Sequence, residues 1–173
     1  MKRWKKVLLV LLIIVGLLLI LAVWYKNKFS MVMVAEQTIN LPELDRRLVI
    51  ATQGSMFKDS VTLGITNYFE SDSIFIRIID VSGLPKINLD DYDAMVLMHT
   101  WENWKPPVVV DSFMGKLKKE QKNKIVVLTT SGEGSFKMEE IDAITGESIL
   151  ENVPAYTDKI ISELEQLLRT KDN

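Results

Sequence analysis

The chain has no cysteine and only one histidine, His99, in 173 residues. Without thiols there is no disulfide, no thiolate nucleophile, no lipidated cysteine and no Cys/His cluster for a metal. A single histidine leaves a Ser-His-Asp relay without support beyond the presence of that residue. At the mouth of an expected strand, His99 reads as a loop residue bonded to backbone rather than as a base. Internal repeats and low-complexity tracts are also missing. Acidic side chains are absent from residues 1–30, which hold six basic ones; the other 143 residues carry 15 basic and 23 acidic side chains, a net charge of −8. A domain of that sign argues against a nucleic-acid partner, and an anionic headgroup surface would repel it. Asp90, Asp91 and Asp93 read as a turn and capping cluster, with an oxygen-ligand cation site as the alternative.

What the chain does have is one long apolar run. Residues 7–23, VLLVLLIIVGLLLILAV, contain no charge. At about 1.5 Å per residue they reach roughly 25 Å, and Trp4, Trp24 and Tyr25 extend the span with interfacial anchors toward the ~30 Å of a bilayer core. A cleaved signal peptide is the rival reading, but its apolar region is shorter, about 7–15 residues, and ends in a small-residue site. The nearest imitation, Met33-Val34-Ala35, lies well downstream. An uncleaved anchor is expected, in contact with lipid through residues 7–25. Lys2, Arg3, Lys5 and Lys6 outnumber Lys26 and Lys28, which places the amino terminus in the cytoplasm and the domain outside it. The expected organisation is an anchor over 1–25, a stalk over 26–45 in which Pro42 opposes a helix, and a domain over 46–170. Residues Met31 to Val34 have a second option, lying on the membrane surface or docking on the domain.

The domain is organised around Arg47–Asn67, RLVIATQGSMFKDSVTLGITN. Leu48-Val49-Ile50 is too short for a helix and reads as a buried strand. After a small-residue loop, Thr52-Gln53-Gly54-Ser55, the residues Phe57, Val61, Ile65, Tyr68 and Phe69 recur at helical spacing. Further strands are expected at Ser73–Ile79, Tyr92–Met98 and Lys124–Thr129, with a weak fifth between Met138 and Ile144. Helices are expected after Pro106-Pro107 and over Ala155–Arg169. The segment 81–91 has little room for a helix, and Lys116 to Lys124 reads as a solvated helix end. Alternating strands and helices imply a doubly wound α/β fold with a parallel sheet, and five strands in about 125 residues suggest the order 2-1-3-4-5.

Laid out in this order, residues 46–169 resemble the flavodoxin family. Gly54-Ser55-Met56-Phe57 looks like the start of its phosphate loop, and Asn88–Leu97 like the acidic lead-in to its third strand. Trp101–Phe113 looks like the first flavin-contacting loop and following helix, and Lys124–Gly134 like the fourth strand and second flavin loop. The resemblance implies FMN as cofactor and electron transfer as the role, with a redox protein as partner and no catalytic side chain. It places the phosphate at Thr52, Gly54, Ser55 and Ser60, where hydroxyls and N–H groups would meet a helix N-terminus. It places the ring near Thr100, against Trp101 or Trp104, with its edge over Thr130, Ser131 and Gly132.

Several residues depart from that pattern. Met56, Phe57, Lys58 and Asp59 stand where small or hydroxylic residues are usual; Lys58 offers a cation, while Asp59 would repel a phosphate. The second connection is short and the fourth helix is missing. A separate stretch, Asp142-Ala-Ile-Thr-Gly-Glu-Ser148, resembles the motif of proteins that carry FMN as a phosphoester, with Ser148 as the attachment site. Its usual host is another fold, Glu147 departs from it, and a strand-to-loop turn, with Thr145, Gly146 and Ser148 as turn residues, is the favoured reading. Two expectations result: a membrane-tethered FMN electron carrier, or a flavin-free module of the same fold used for interaction or assembly at the membrane.

Overall fold

The computed structural model describes residues 3–29, 32–102, 104–139 and 141–169; Lys2, Met31, Asn103 and Glu140, each within a stretch read above, lie outside them. The chain divides into two compact units, Met1–Met31 and Val32–Asn173. The first is one helix, α1, Arg3–Phe29. Its stretch Arg3–Trp24 is long and apolar enough to cross a membrane, and its side chains are exposed almost throughout.

The second unit is a six-stranded sheet with helices on both faces. Its strands are β1 (Gln37–Ile39), β2 (Arg46–Thr52), β3 (Ile74–Asp80), β4 (Ala94–Thr100), β5 (Ile125–Thr130) and β6 (Ala143–Gly146). The sheet order is β1-β3-β2-β4-β5-β6. Among the described residues only strand β1 runs antiparallel, pairing with β3, so β2 to β6 form the expected 2-1-3-4-5 arrangement. The helices are α2 (Met56–Phe69), α3 (Val108–Lys116), the single turn α4 (Lys119–Lys122) and α5 (Val153–Arg169). Among the described residues, 3-10 turns at Val81–Lys86 and Leu89–Asp91 replace a helix between β3 and β4, and no helix lies between β5 and β6.

Strand alternation sorts the core onto two faces. Leu48, Ile50, Ile76, Val96, Met98, Val126 and Leu128 pack under α2 and α5. Val49, Ala51, Met95, Leu97 and Val127 pack under α3 and the 3-10 turns. Near-continuous apolar strands are what a sheet covered on both sides requires.

Two boundaries differ from expectation in ways that matter. Strand β4 runs to Thr100, two residues beyond its apolar run, because His99 and Thr100 face strand β5 in register with Thr129 and Thr130 and find polar partners there. Residues 32–45, expected as stalk, build onto the sheet. β1 covers the outer edge of β3, Val32 pairs with Gly54, and Val34 N–H donates to the Asp80 carboxylate at 3.0 Å. Three residues of strand are too few to leave a periodic signal.

Candidate functional site

All parallel strands end on one side, and the loops beyond β2, β4 and β5 meet there. That is the edge at which open α/β sheets bind ligands. Thr52 ends β2 and Gly54 and Ser55 follow it, Thr100 ends β4 and Trp101 and Trp104 follow it, and Thr130 ends β5 and Ser131 and Gly132 follow it, so the structure brings nine of the expected residues to this edge. Ser60 and Ser148 are elsewhere. Ser60 lies one turn into α2 and donates to the Met56 carbonyl at 2.8 Å; Ser148 is exposed past the end of β6. Thr145 and Gly146 are strand residues, not turn residues, and a Cβ at Gly146 would overlap the Tyr156 hydroxyl.

The β2–α2 loop is committed to the chain itself. Ser55 is the N-cap of α2, with extended backbone, and its hydroxyl accepts the Lys58 N–H at 3.3 Å. Gly54 exchanges both backbone hydrogen bonds with Val32, at 3.0 and 3.2 Å, and a Cβ there would overlap the Val32 carbonyl oxygen. The close approach that glycine allows is thus taken by backbone. Thr52 is buried, its hydroxyl turned to the Gln53 carbonyl.

Behind the loop lies a buried polar cluster. Lys58 sits on the inward stripe of α2 with Val61, Thr62 and Ile65, and it is fully buried. Its ammonium donates to Thr100 Oγ1 at 2.6 Å, and Thr100 Oγ1 lies 2.8 Å from Thr130 Oγ1, its neighbour in register across β4 and β5. Burial pulls the Lys58 pKa down to about 8, against the opposing pull of Asp59 and Glu102. Gln53 ties the first two loops together: its Oε1 accepts the Thr100 N–H at 2.7 Å, and its Nε2 reaches Glu102 at 3.5 Å. Sequence reasoning noted Lys58 as a cation but not its burial, although it stands three residues before Val61 and seven before Ile65, which is the spacing of an inward face.

On the opposite face of β4 and β5, His99 is buried, with Nε2 3.1 Å from Thr129 Oγ1. It is therefore a strand residue with a side-chain partner, not the loop residue its position at the end of an apolar run suggested. Burial first, and then the Lys58 cation, lower its pKa to about 4, so it is neutral at physiological pH. Trp101 stacks on Phe136, with centroids 5.3 Å apart and planes 17° from parallel. Trp104 is 78% exposed and has positive φ at the tip of a hairpin closed by Glu102 and Lys105. Asp90, Asp91 and Asp93 accept hydrogen bonds from Gln121, Asn88 and the Arg47 N–H respectively. No group of three or more His, Cys, Asp or Glu residues among those described is placed to hold a metal ion.

These residues do not fit FMN as they stand. A phosphate dianion needs convergent donors and backbone that can approach it closely, but the Gly54 N–H is already given to the Val32 carbonyl and the Lys58 N–H, at the helix N-terminus, to the Ser55 hydroxyl. A flavin ring needs an open flat wall, and Phe136 covers one face of Trp101.

No protein-family model matches the chain, and comparison with curated protein sequences finds no match. Solved structures do resemble it. The Flv1 flavodiiron core of Synechocystis sp. PCC6803 is 9% identical over 75% of this chain, with a TM-score of 0.54; the matched part is 37% of that protein, so this chain spans little more than a third of its length. An archaeal flavodoxin is 12% identical over 70% of this chain and 98% of its own, with a TM-score of 0.48. General stress protein 14 of Treponema denticola, in complex with FMN, is 9% identical over 73% of this chain and 98% of its own, with a TM-score of 0.35. At such identities the likeness shows the fold: a flavodoxin-like doubly wound domain, preceded here by one long apolar helix.

Proposed function

We propose that this chain is a membrane-anchored, flavin-free flavodoxin-like module, which presents the carboxyl edge of its sheet as an interaction surface rather than as a cofactor site. The observation that carries the reading is the Val32–Gly54 backbone pair, which occupies the place where a phosphate loop would meet its ligand. The buried Lys58–Thr100–Thr130 cluster supports it, because it fixes the three loop origins from inside without turning a charge outward. The anchor is α1, supported by an uninterrupted apolar run with basic residues before it. The excess of basic residues before the run favours a cytoplasmic amino terminus and a domain on the other side.

A second reading, an FMN electron carrier, draws on one specific observation. His99 Nδ1, Trp101 Nε1 and Ser131 Oγ are buried without a hydrogen-bond partner from the protein, around the ends of β4 and β5. Unsatisfied buried polar atoms call for water or a ligand, and a flavin edge is one candidate. Covalent flavin at Ser148 draws no comparable support. The test is an absorbance spectrum of the detergent-purified full-length protein after incubation with excess FMN and removal of the unbound cofactor. The module reading expects a colourless protein. A retained flavin spectrum overturns it, and flavin that stays with acid-precipitated protein points to Ser148.

A further inference from the structure

Two surfaces of the domain, both away from the carboxyl-edge loops described above, complement one another. The first follows from the short connection between β3 and β4. A 3-10 turn, Val81–Lys86, is the neighbour of α3 where a full helix would otherwise pack. The turn is too slight to close against it. An apolar groove of about 510 Å³ runs between them, lined by Leu84, Ile87, Val109, Phe113 and Leu117. Val108 also lines it and is 76% exposed. The charge beside the groove is positive. Lys116 lines it, and Lys86 and Lys118 adjoin it in the chain, all three exposed; Asp111, the carboxylate of α3, is not among the lining residues.

The second surface is the turn between β6 and α5, Glu147-Ser-Ile-Leu-Glu151. Ile149 is 40% exposed and Leu150 45%, with an exposed glutamate on each side. The turn is held in shape by its own backbone, Ile149 N–H to the Glu147 carbonyl at 2.9 Å and Asn152 N–H to the Ile149 carbonyl at 3.1 Å. Two apolar side chains between two carboxylates are what an apolar groove beside lysines would take, one for packing and the other for register. None of Lys86, Lys116, Lys118, Glu147 and Glu151 is in an ion pair with another described residue. Nor can the turn fill the groove of its own chain. It follows β6, the outer strand beyond β5, and leads directly into α5, which packs on the opposite face of the sheet from α3.

We propose that the occupant of the α3 groove is a second copy of this chain, which inserts Ile149 and Leu150 beside Val108 and sets Glu147 and Glu151 against Lys116 and its neighbours. The contact joins two different patches, so it propagates from copy to copy unless a two-fold axis makes it reciprocal. It does not depend on whether the carboxyl edge holds flavin.

Sedimentation velocity of the full-length protein in detergent, over a wide range of concentration, tests it. The expected result is a mass that rises with concentration. Val108→Asp and Leu150→Asp should each weaken association about tenfold. Lys116→Glu and Glu151→Lys should each weaken it several-fold, and the double variant Lys116→Glu/Glu151→Lys should return it close to wild type, because the swapped charges meet across copies. That charge swap, on exposed positions, keeps the test sound if either apolar-to-Asp change disturbs the fold. A single-chain mass at every concentration overturns the proposal. So does association that none of these substitutions alters, which would run through another surface, or a double variant no better than its two parents.

Discussion

Val32 and Gly54 exchange a reciprocal pair of backbone hydrogen bonds, Gly54 N–H to Val32 O at 3.0 Å and Val32 N–H to Gly54 O at 3.2 Å. The pair closes the loop after β2 with the segment that leads in from α1. One backbone contact thus joins the segment before β1 to the carboxyl edge of the sheet.

Gly54→Ala tests that pair through sterics. The added methyl overlaps the Val32 carbonyl oxygen, and Val34 Cγ2 stands 3.3 Å away, so the segment must move. The expected cost is about 1–3 kcal/mol in urea unfolding, with faster amide exchange at Val32. An unchanged midpoint would mean the segment is not seated there.

Lys58 sets a stability dependence at alkaline pH. Its folded pKa is about 8, against 10.5 for the free side chain. Below about 8 it is charged in both states and the cost of burying it is fully present. Between 8 and 10.5 the unfolded chain binds more protons, so stability contributed by this group rises with pH, by about 3 kcal/mol at most. Lys58→Met should flatten that rise when denaturant midpoints are compared from pH 7 to pH 10.5.

His99 works in the opposite range. With a folded pKa near 4 and an ordinary value of 6.5, it contributes stability that is present above 6.5 and is lost as pH falls toward 4. The loss amounts to about 3 kcal/mol. As the only histidine, it gives one imidazole signal by NMR, which should still report the neutral ring at pH 5.5. A titration midpoint near 6.5 would place His99 in water.

The Trp101–Phe136 stack should show coupling of about 0.5–1.5 kcal/mol in a double-mutant cycle with alanine. Phe136→Ala alone should also red-shift tryptophan emission, because Trp101 loses its cover. Additive effects in the cycle would mean that Phe136 is an incidental neighbour.

Much of this was legible from residue order. The inward stripe Phe57-Val61-Ile65 and the near-continuous apolar strands fixed the helix α2 and the parallel sheet, because periodicity and burial are local properties. Positions at strand ends were legible for the same reason, which is why Gly54, Thr100, Trp101, Thr130 and Ser131 were found at one edge. What those residues do there was not legible. Hydroxyls at Ser55 and Ser60 suit a phosphate in sequence, but capping and back-bonding to Met56 claim them in the fold. Phe136 lies in a loop without period, and β1 is three residues long, so neither left a pattern. His99 was misplaced because strand β4 continues past its last apolar residue on polar partners supplied by β5, a non-local fact.

The most direct test is site-resolved amide exchange at Gly54 in the full-length protein, with and without millimolar FMN. A loop closed by its own backbone predicts a protected Gly54 amide whose exchange rate FMN leaves unchanged. A fast-exchanging Gly54 amide that becomes protected only when FMN is added would contradict the account and restore the phosphate loop to its ligand.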